Sequence, residues 1–253
     1  MTILAVDIGN TRTTYGAYDS QELVATFSHE TLKDGGNVTS EFFKEISRIP
    51  RPEIVGISSV VPEVTKKTAL LIDAMMRNVP IRILGNNDVP MTNKYQDPFS
   101  AGTDRLLASY AAYQQWGKSE KRPLIVIDFG TATTFDCISA SGEYLGGAIT
   151  LGVASSADAL FRLAAQLPDI PLAIPAQAIG TTTVESMQSG IVLGALLGAE
   201  GLVQKMTEEA FAGAQPIIVA TGGMSSLFKG KADFIDYFVP SLVLDGIRHI
   251  LQP

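Results

Sequence analysis

Asp7-Ile8-Gly9-Asn10-Thr11-Arg12-Thr13-Thr14 follows the apolar run Ile3-Leu4-Ala5-Val6, and the rest of the chain is read outward from it. A buried-strand pattern delivers an aspartate and then a glycine at a tight turn, followed by small hydroxyl and amide side chains. Glycine lets backbone approach a ligand closely, and backbone N–H groups with hydroxyls suit a row of phosphate oxygens. Taken alone, the stretch serves equally well as a plain hairpin turn. An echo separates the two readings. Asp128-Phe129-Gly130-Thr131-Ala132-Thr133-Thr134 follows a second apolar run, Leu124-Ile125-Val126-Ile127, 121 residues later and close to half the length of the 253-residue chain. As a pair at that offset, the turns point to phosphate binding, with the aspartates coordinating a metal or its waters.

The element order on either side supports a duplication. Residues 2–7, 13–18 and 23–28 read as a strand meander, and Ser40 to Ile49 as a short helix. Ile54–Ser58 reads as a strand, Pro62 to Asn78 as a helix and Ile81–Leu84 as a strand. Asn86 to Ser100 is loop-like, and Gly102-Thr103-Asp104-Arg105 enters a helix over 106–116. The charged stretch Gly117 to Pro123 marks the boundary between halves, 1–117 and 118–253. The second half repeats the plan: strands over 124–127, 133–139 and 144–150 with a Ser141-Gly142 turn, and a helix over 154–166. A proline-containing loop over 167–183 leads to a long helix from Val184 to Glu209. Strand 216–220, a short helix 224–228, a strand over 234–238 and a helix from Ser241 to Leu251 complete it. Two such halves are expected to face each other across a cleft with both aspartate turns at its floor.

Composition narrows the function classes. The chain is 46% hydrophobic and 18% charged, which is globular, and its net charge of −7 disfavours a nucleic-acid partner. One cysteine, Cys137, rules out an internal disulfide and reads as a buried structural thiol. The apolar segment Gly190–Ala199 is shorter than the ~18 residues of a membrane span. With no signal peptide in the N-terminal sequence, a soluble, cytoplasmic protein without a membrane partner is expected.

Further residues carry chemistry. Thr221-Gly222-Gly223 ends a strand with two side-chain-free residues, against which a base or ribose can lie; a helix-start turn is the plainer reading. Asp104 stands at a helix start, where the dipole keeps a carboxylate ionised and able to accept a hydroxyl proton, and Arg105 offers a fork for a substrate carboxylate. The same dipeptide also reads as an N-terminal charge beside a surface arginine. His29 and His249 have no metal-ligand partner nearby in sequence and read as surface or helix residues. No G-x-x-x-x-G-K-S/T or G-x-G-x-x-G motif occurs, nor an H-E-x-x-H or G-x-S-x-G motif. Gly190, Gly194 and Gly198 recur every four residues along an otherwise apolar helix. That stripe fits close packing within the monomer or a subunit interface.

In order, D-I-G-N-T, G-T-D-R, D-F-G-T-A-T-T, G-G-A-I-T-L-G, T-V-E-S-M-Q-S-G, T-G-G and L-D-G span residues 7 to 246, and the set resembles the type III pantothenate kinases of the acetate and sugar kinase/Hsp70/actin superfamily. The resemblance implies an α/β chain of two duplicated ribonuclease H-like (actin-like ATPase) halves, each a mixed five-stranded sheet with helices, around a cleft. It implies ATP-dependent phosphorylation of pantothenate to 4'-phosphopantothenate, the first committed step toward coenzyme A, with Mg2+ and a monovalent cation, K+ or NH4+. Carried over, Asp7, Ile8, Gly9, Asn10, Thr11, Arg12, Thr13 and Thr14 form the first phosphate loop, Thr131 touches ATP in the second, and Gly222 and Gly223 match the adenosine side. Asp128 holds the monovalent cation and Asp104 is the proton acceptor. Tyr95, Gly102, Thr103, Asp104, Arg105 and Thr183 line the pantothenate pocket, which the resemblance places in a homodimer and completes across its interface. Thr103, where the family often has alanine, and Leu151, where it usually has proline, depart from the pattern. The alternatives are a kinase of another small hydroxyl substrate on the same fold, or a nucleotide-binding regulatory protein.

Overall fold

The structure, a computed structural model, describes residues 1–31 and 44–252. It divides into two units, one comprising Met1–Met91, Tyr95–Ala111 and Ser241–Pro253, the other Thr92–Lys94 and Ala112–Pro240. These units do not coincide with a halving at 117/118. The last helix belongs to the first unit, because its apolar face is buried there and not on the sheet that precedes it.

The first unit is built on strands β1 (Thr2–Ile8), β2 (Arg12–Asp19), β3 (Glu22–Glu30), β4 (Ile54–Ser59) and β5 (Ile81–Ile83), in the order β3-β2-β1-β4-β5. The β1–β2 and β2–β3 pairs are antiparallel; β1–β4 and β4–β5 are parallel. Helix α1 (Pro62–Met75) starts at a proline, whose missing N–H costs nothing in a first turn, and contributes Val64 and Ile72 to a core with Leu4, Val6, Ile8, Val55 and Ile57. Of the expected Ser40–Ile49 helix, residues 40–43 lie outside the described residues, 44–46 are helical and 47–49 are turn and bend.

Helix α2 (Thr103–Ala112) does not stop at Trp116 as expected. It runs through a π-helical turn over Tyr113–Gly117 to Lys118–Glu120 and ends at Lys121 in the left-handed region, φ 54°. The charged stretch read as a boundary is thus largely helix.

In the second unit, β6 (Leu124–Phe129), β7 (Ala132–Ile138), β8 (Tyr144–Leu151), β9 (Ile217–Thr221) and β10 (Tyr237–Phe238) form a sheet in the order β10-β9-β6-β7-β8. This is the first sheet again, with the meander antiparallel and the two later strands parallel. The last strand is shorter than its expected 234–238, since residues 234–236 lie outside the ladder. Buried Ile125, Ile127, Phe129, Phe135 and Ile218 form a core with Val192, Leu196, Ala199 and Val203. Cys137 is in that core, and burial pushes its thiol up to about 12, so it is the inert residue expected.

Helix α3 (Val153–Leu163) leads to α4, which runs from Thr183 to Ala210 through a π-helical turn at Ser189–Leu193. By length and composition alone α4 is apolar enough to cross a membrane, a length the ten-residue reading of Gly190–Ala199 missed. One stripe of it is in the core. The other is exposed in the single chain, with Leu197 56% exposed. On that stripe a Cβ added at Gly190, Gly198 or Gly201 would meet nothing within 4 Å.

Helix α5 (Leu242–Leu251) lies against β1 and β4 of the first unit. Gly246 lets it meet α2 backbone to backbone: a Cβ there would stand 2.4 Å from the Leu107 carbonyl oxygen. Tyr18, fully buried on β2, donates its hydroxyl to Asp245 Oδ1 at 2.7 Å, and Ser241 Oγ donates to Oδ2 at 3.1 Å. The late L-D-G motif is therefore a fastening of α5 to β2.

Candidate active site

Each aspartate turn ends the central strand of its sheet. Asp7 pairs with Thr14 across the hairpin and with Ser58 on the parallel side; Asp128 pairs with Thr134 and Thr221 in the same two positions. The structural equivalence is therefore of register as well as motif.

In the first turn, the Gly9 N–H donates to the Arg12 carbonyl at 2.9 Å, which closes the hairpin. Thr31 secures the turn from the side. Its hydroxyl donates to the Gly9 carbonyl at 2.7 Å and lies 3.1 Å from the hydroxyl of fully buried Thr13, while its N–H donates to the Thr11 carbonyl. Asn10, Thr11 and Arg12 are left exposed at the tip. Thr31 lies past the end of β3 and carried no signal in the sequence, because nothing local links it to the turn.

The other first-unit residues cluster at the start of α2. Asp104 is in the first helical turn, its Oδ1 accepting from the Arg105 N–H at 2.9 Å, and its carboxylate lies back over Gly102. Arg105 is buried. Tyr95 lines an open concavity with Gln96, Asp97 and Ser100. Thr103 turns its hydroxyl away from that role and donates to Asn86 Oδ1 at 2.6 Å. His29 and His249 are outside this cluster: His29 Nε2 lies 3.1 Å from the Tyr15 hydroxyl, and half-buried His249 is held below its usual pKa by burial and by Arg248.

In the second unit the Gly130 N–H donates to the Ala132 carbonyl at 3.1 Å, and Ser155 Oγ donates to the Thr131 carbonyl at 2.7 Å, tying the turn to α3. Gly222, at φ 86°, packs directly over Asp128, and the Met224 N–H donates to the Phe129 carbonyl at 3.0 Å. Thr221-Gly222-Gly223 thus folds onto the second aspartate turn, while Gly223 faces open space. Thr183 is exposed in the first turn of α4, behind a capping box in which the Glu185 N–H donates to Thr182 Oγ1 and Glu185 Oε2 accepts from Thr181 and Thr182.

Two sheets of this order, each ending its central strand in an aspartate turn, define the actin-like ATPase fold. Among solved structures, the chain is similar in fold to a Baf family transcriptional activator from Campylobacter jejuni (18% identical, TM-score 0.64, 98% of this chain and 97% of that one) and to an archaeal actin homolog (12% identical, TM-score 0.52, 100% and 99%). The type III pantothenate kinase family model matches residues 3–205. Curated type III pantothenate kinases from Desulfatibacillum aliphaticivorans and Roseiflexus castenholzii are 38% and 40% identical over 99% of this chain and 98% of their own lengths. The chain belongs to the type III pantothenate kinase family, whose members are kinases acting on pantothenate.

Proposed function

We propose that the chain transfers the terminal phosphoryl group of ATP to the primary hydroxyl of pantothenate, giving 4'-phosphopantothenate. The observation that carries this reading is the register-matched pair of aspartate turns in a chain that belongs to this family. The loop from Asp7 to Thr14 and Thr131 bind the phosphates, and Gly222 with Gly223 lies on the adenosine side. Asp104, in the first turn of α2, accepts the hydroxyl proton as the phosphoryl group moves. Arg105 faces the pantothenate carboxylate, with Tyr95, Gly102 and Thr103 around it.

The residues around Asp128 fit a hard cation. Its sheet neighbours Thr134 and Thr221 offer only oxygen donors, and side-chain-free Gly130 and Gly222 stand beside its carboxylate. A K+ or NH4+ ion held there, together with Mg2+, would supply the positive charge that phosphoryl transfer needs. Among the described residues no cluster of three or more His, Cys, Asp or Glu side chains occurs, which suits a Mg2+ bound chiefly through the nucleotide.

The exposed stripe of α4 supports a homodimer, through which the partner's Thr183 reaches the pantothenate pocket. Leu151, Phe161, Leu163 and Ile179 of the same unit are exposed as well, apolar side chains that a second copy would cover. Gly198→Arg places its side chain in space that is open within one chain. The native protein is expected to sediment as a dimer and this variant as a monomer of unchanged helix content; a native monomer sinks the dimer.

ADP release is measured with ATP, Mg2+ and K+, with and without pantothenate. Turnover that depends on pantothenate and falls when Na+ replaces K+ is expected. ATP binding without such turnover overturns the kinase reading, and equal rates in Na+ remove the selective site at Asp128.

A further inference from the structure

The loop that carries Tyr95 and leads into Asp104 has no secondary structure of its own over residues 94–102, yet one side chain from elsewhere spans its second half. Asn86 begins the 3₁₀ turn Asn86–Asp88 after β5. Its Nδ2 faces three carbonyls of the loop, those of Ala101 at 2.8 Å, Pro98 at 3.1 Å and Phe99 at 3.4 Å. Its Oδ1 accepts from Thr103 Oγ1 at 2.6 Å. One carboxamide thus uses its donors on the loop and its acceptor on the first residue of α2.

Asn86 is itself seated. Asp88 Oδ2 accepts from the Gly85 N–H at 2.9 Å and Oδ1 from Arg82, and these two bonds, the backbone one first, hold the Asp88 carboxyl below its usual pKa. Downstream, Asp97 Oδ1 accepts from the Phe99 N–H at 3.1 Å, and the Asp97 carbonyl accepts from the Ser100 N–H and hydroxyl. The loop is therefore folded on itself and bound to a rigid turn through Asn86.

We infer that Asn86, acting with Thr103, is a positioning residue that sets the distance between the Tyr95 concavity and the Asp104-Arg105 start of α2, and so the fit of the hydroxy-acid substrate. This inference rests on the pantothenate reading. Its effect passes through the loop and the first residue of α2, which are the groups it bonds. Misplacing groups by about 1 Å is enough to cost ~100-fold in a positioned reaction.

Asn86→Asp tests it with almost no change of shape, because a carboxylate still accepts from Thr103 but cannot donate to the three carbonyls. Asn86→Ala, Thr103→Ala, the double variant Asn86→Ala/Thr103→Ala and Thr103→Ser accompany it. Expected is a rise of about tenfold or more in the pantothenate KM for Asn86→Asp, with the ATP KM within about twofold. Amide hydrogen exchange over residues 96–103 is expected to quicken while the sheets keep native protection. The double variant matches the worse single one, since both alanine changes break the same Thr103–Asn86 bond, and Thr103→Ser, which keeps the hydroxyl, leaves exchange in the loop at the native rate. Unchanged exchange in the loop overturns the latch. Faster exchange with an unchanged pantothenate KM overturns its role in substrate fit, as does full additivity of the two alanine variants. A native protein without pantothenate turnover instead fails the substrate reading, and overturns the substrate role with it; the exchange result then decides the latch alone.

Discussion

Asp104→Asn is expected to lower kcat by about 10²- to 10⁴-fold with little change in the pantothenate KM, measured as steady-state ADP release. The amide has nearly the shape of the carboxylate. Its oxygen can still accept from the Arg105 N–H, the 2.9 Å bond that Asp104 Oδ1 makes in the native first turn. Helix and pocket are therefore retained, and what is lost is the ability to take a proton from the attacking hydroxyl. A uniform loss of binding would raise KM instead, whereas removal of an interaction used only in the transition state lowers kcat. Full activity in Asp104→Asn ends the base assignment while leaving the kinase reading intact.

Gly222→Ala is expected to disable the second unit's turn. At φ 86° an L side chain costs about 1–2 kcal/mol from backbone sterics alone. The new Cβ would also stand 2.2 Å from Asp128 Oδ1 and 2.7 Å from the Phe129 carbonyl oxygen. Backbone at one of these contacts cannot give way cheaply, so the aspartate must move. A lower melting temperature, together with loss of most turnover and of potassium dependence, is the expected outcome. Gly223→Ala is the control: its side chain meets nothing within 4 Å and needs no left-handed backbone, so its melting temperature stays native. Native melting and turnover in Gly222→Ala would show that the turn tolerates displacement of Asp128.

Much of the framework was legible because it is local. The runs Ile3–Val6 and Leu124–Ile127 are buried strands, the aspartate turns follow them, and the meanders are antiparallel as read. The misreadings also have local causes. Gly117 and the charged residues after it looked like a helix end, but a π-helical turn carries the helix through Gly117. Phe234 to Asp236 has a strand-like pattern, yet only Tyr237 and Phe238 find a partner on β9. The long helix α4 is apolar on two stripes, and the sequence cannot say which of them faces the core.

The sequence by itself determined the duplicated plan, the two aspartate turns and the family, because strand period, glycine turns and ordered motifs are short-range signals. Only the tertiary structure decided what holds those turns and loops in place. Thr31 over the first turn, Gly222 over Asp128, Asn86 on Thr103 and Asp245 on Tyr18 are contacts between distant positions, 227 residues apart in the last case. A hydrogen bond between such residues depends on how the chain returns to itself, and no spacing along the sequence encodes it.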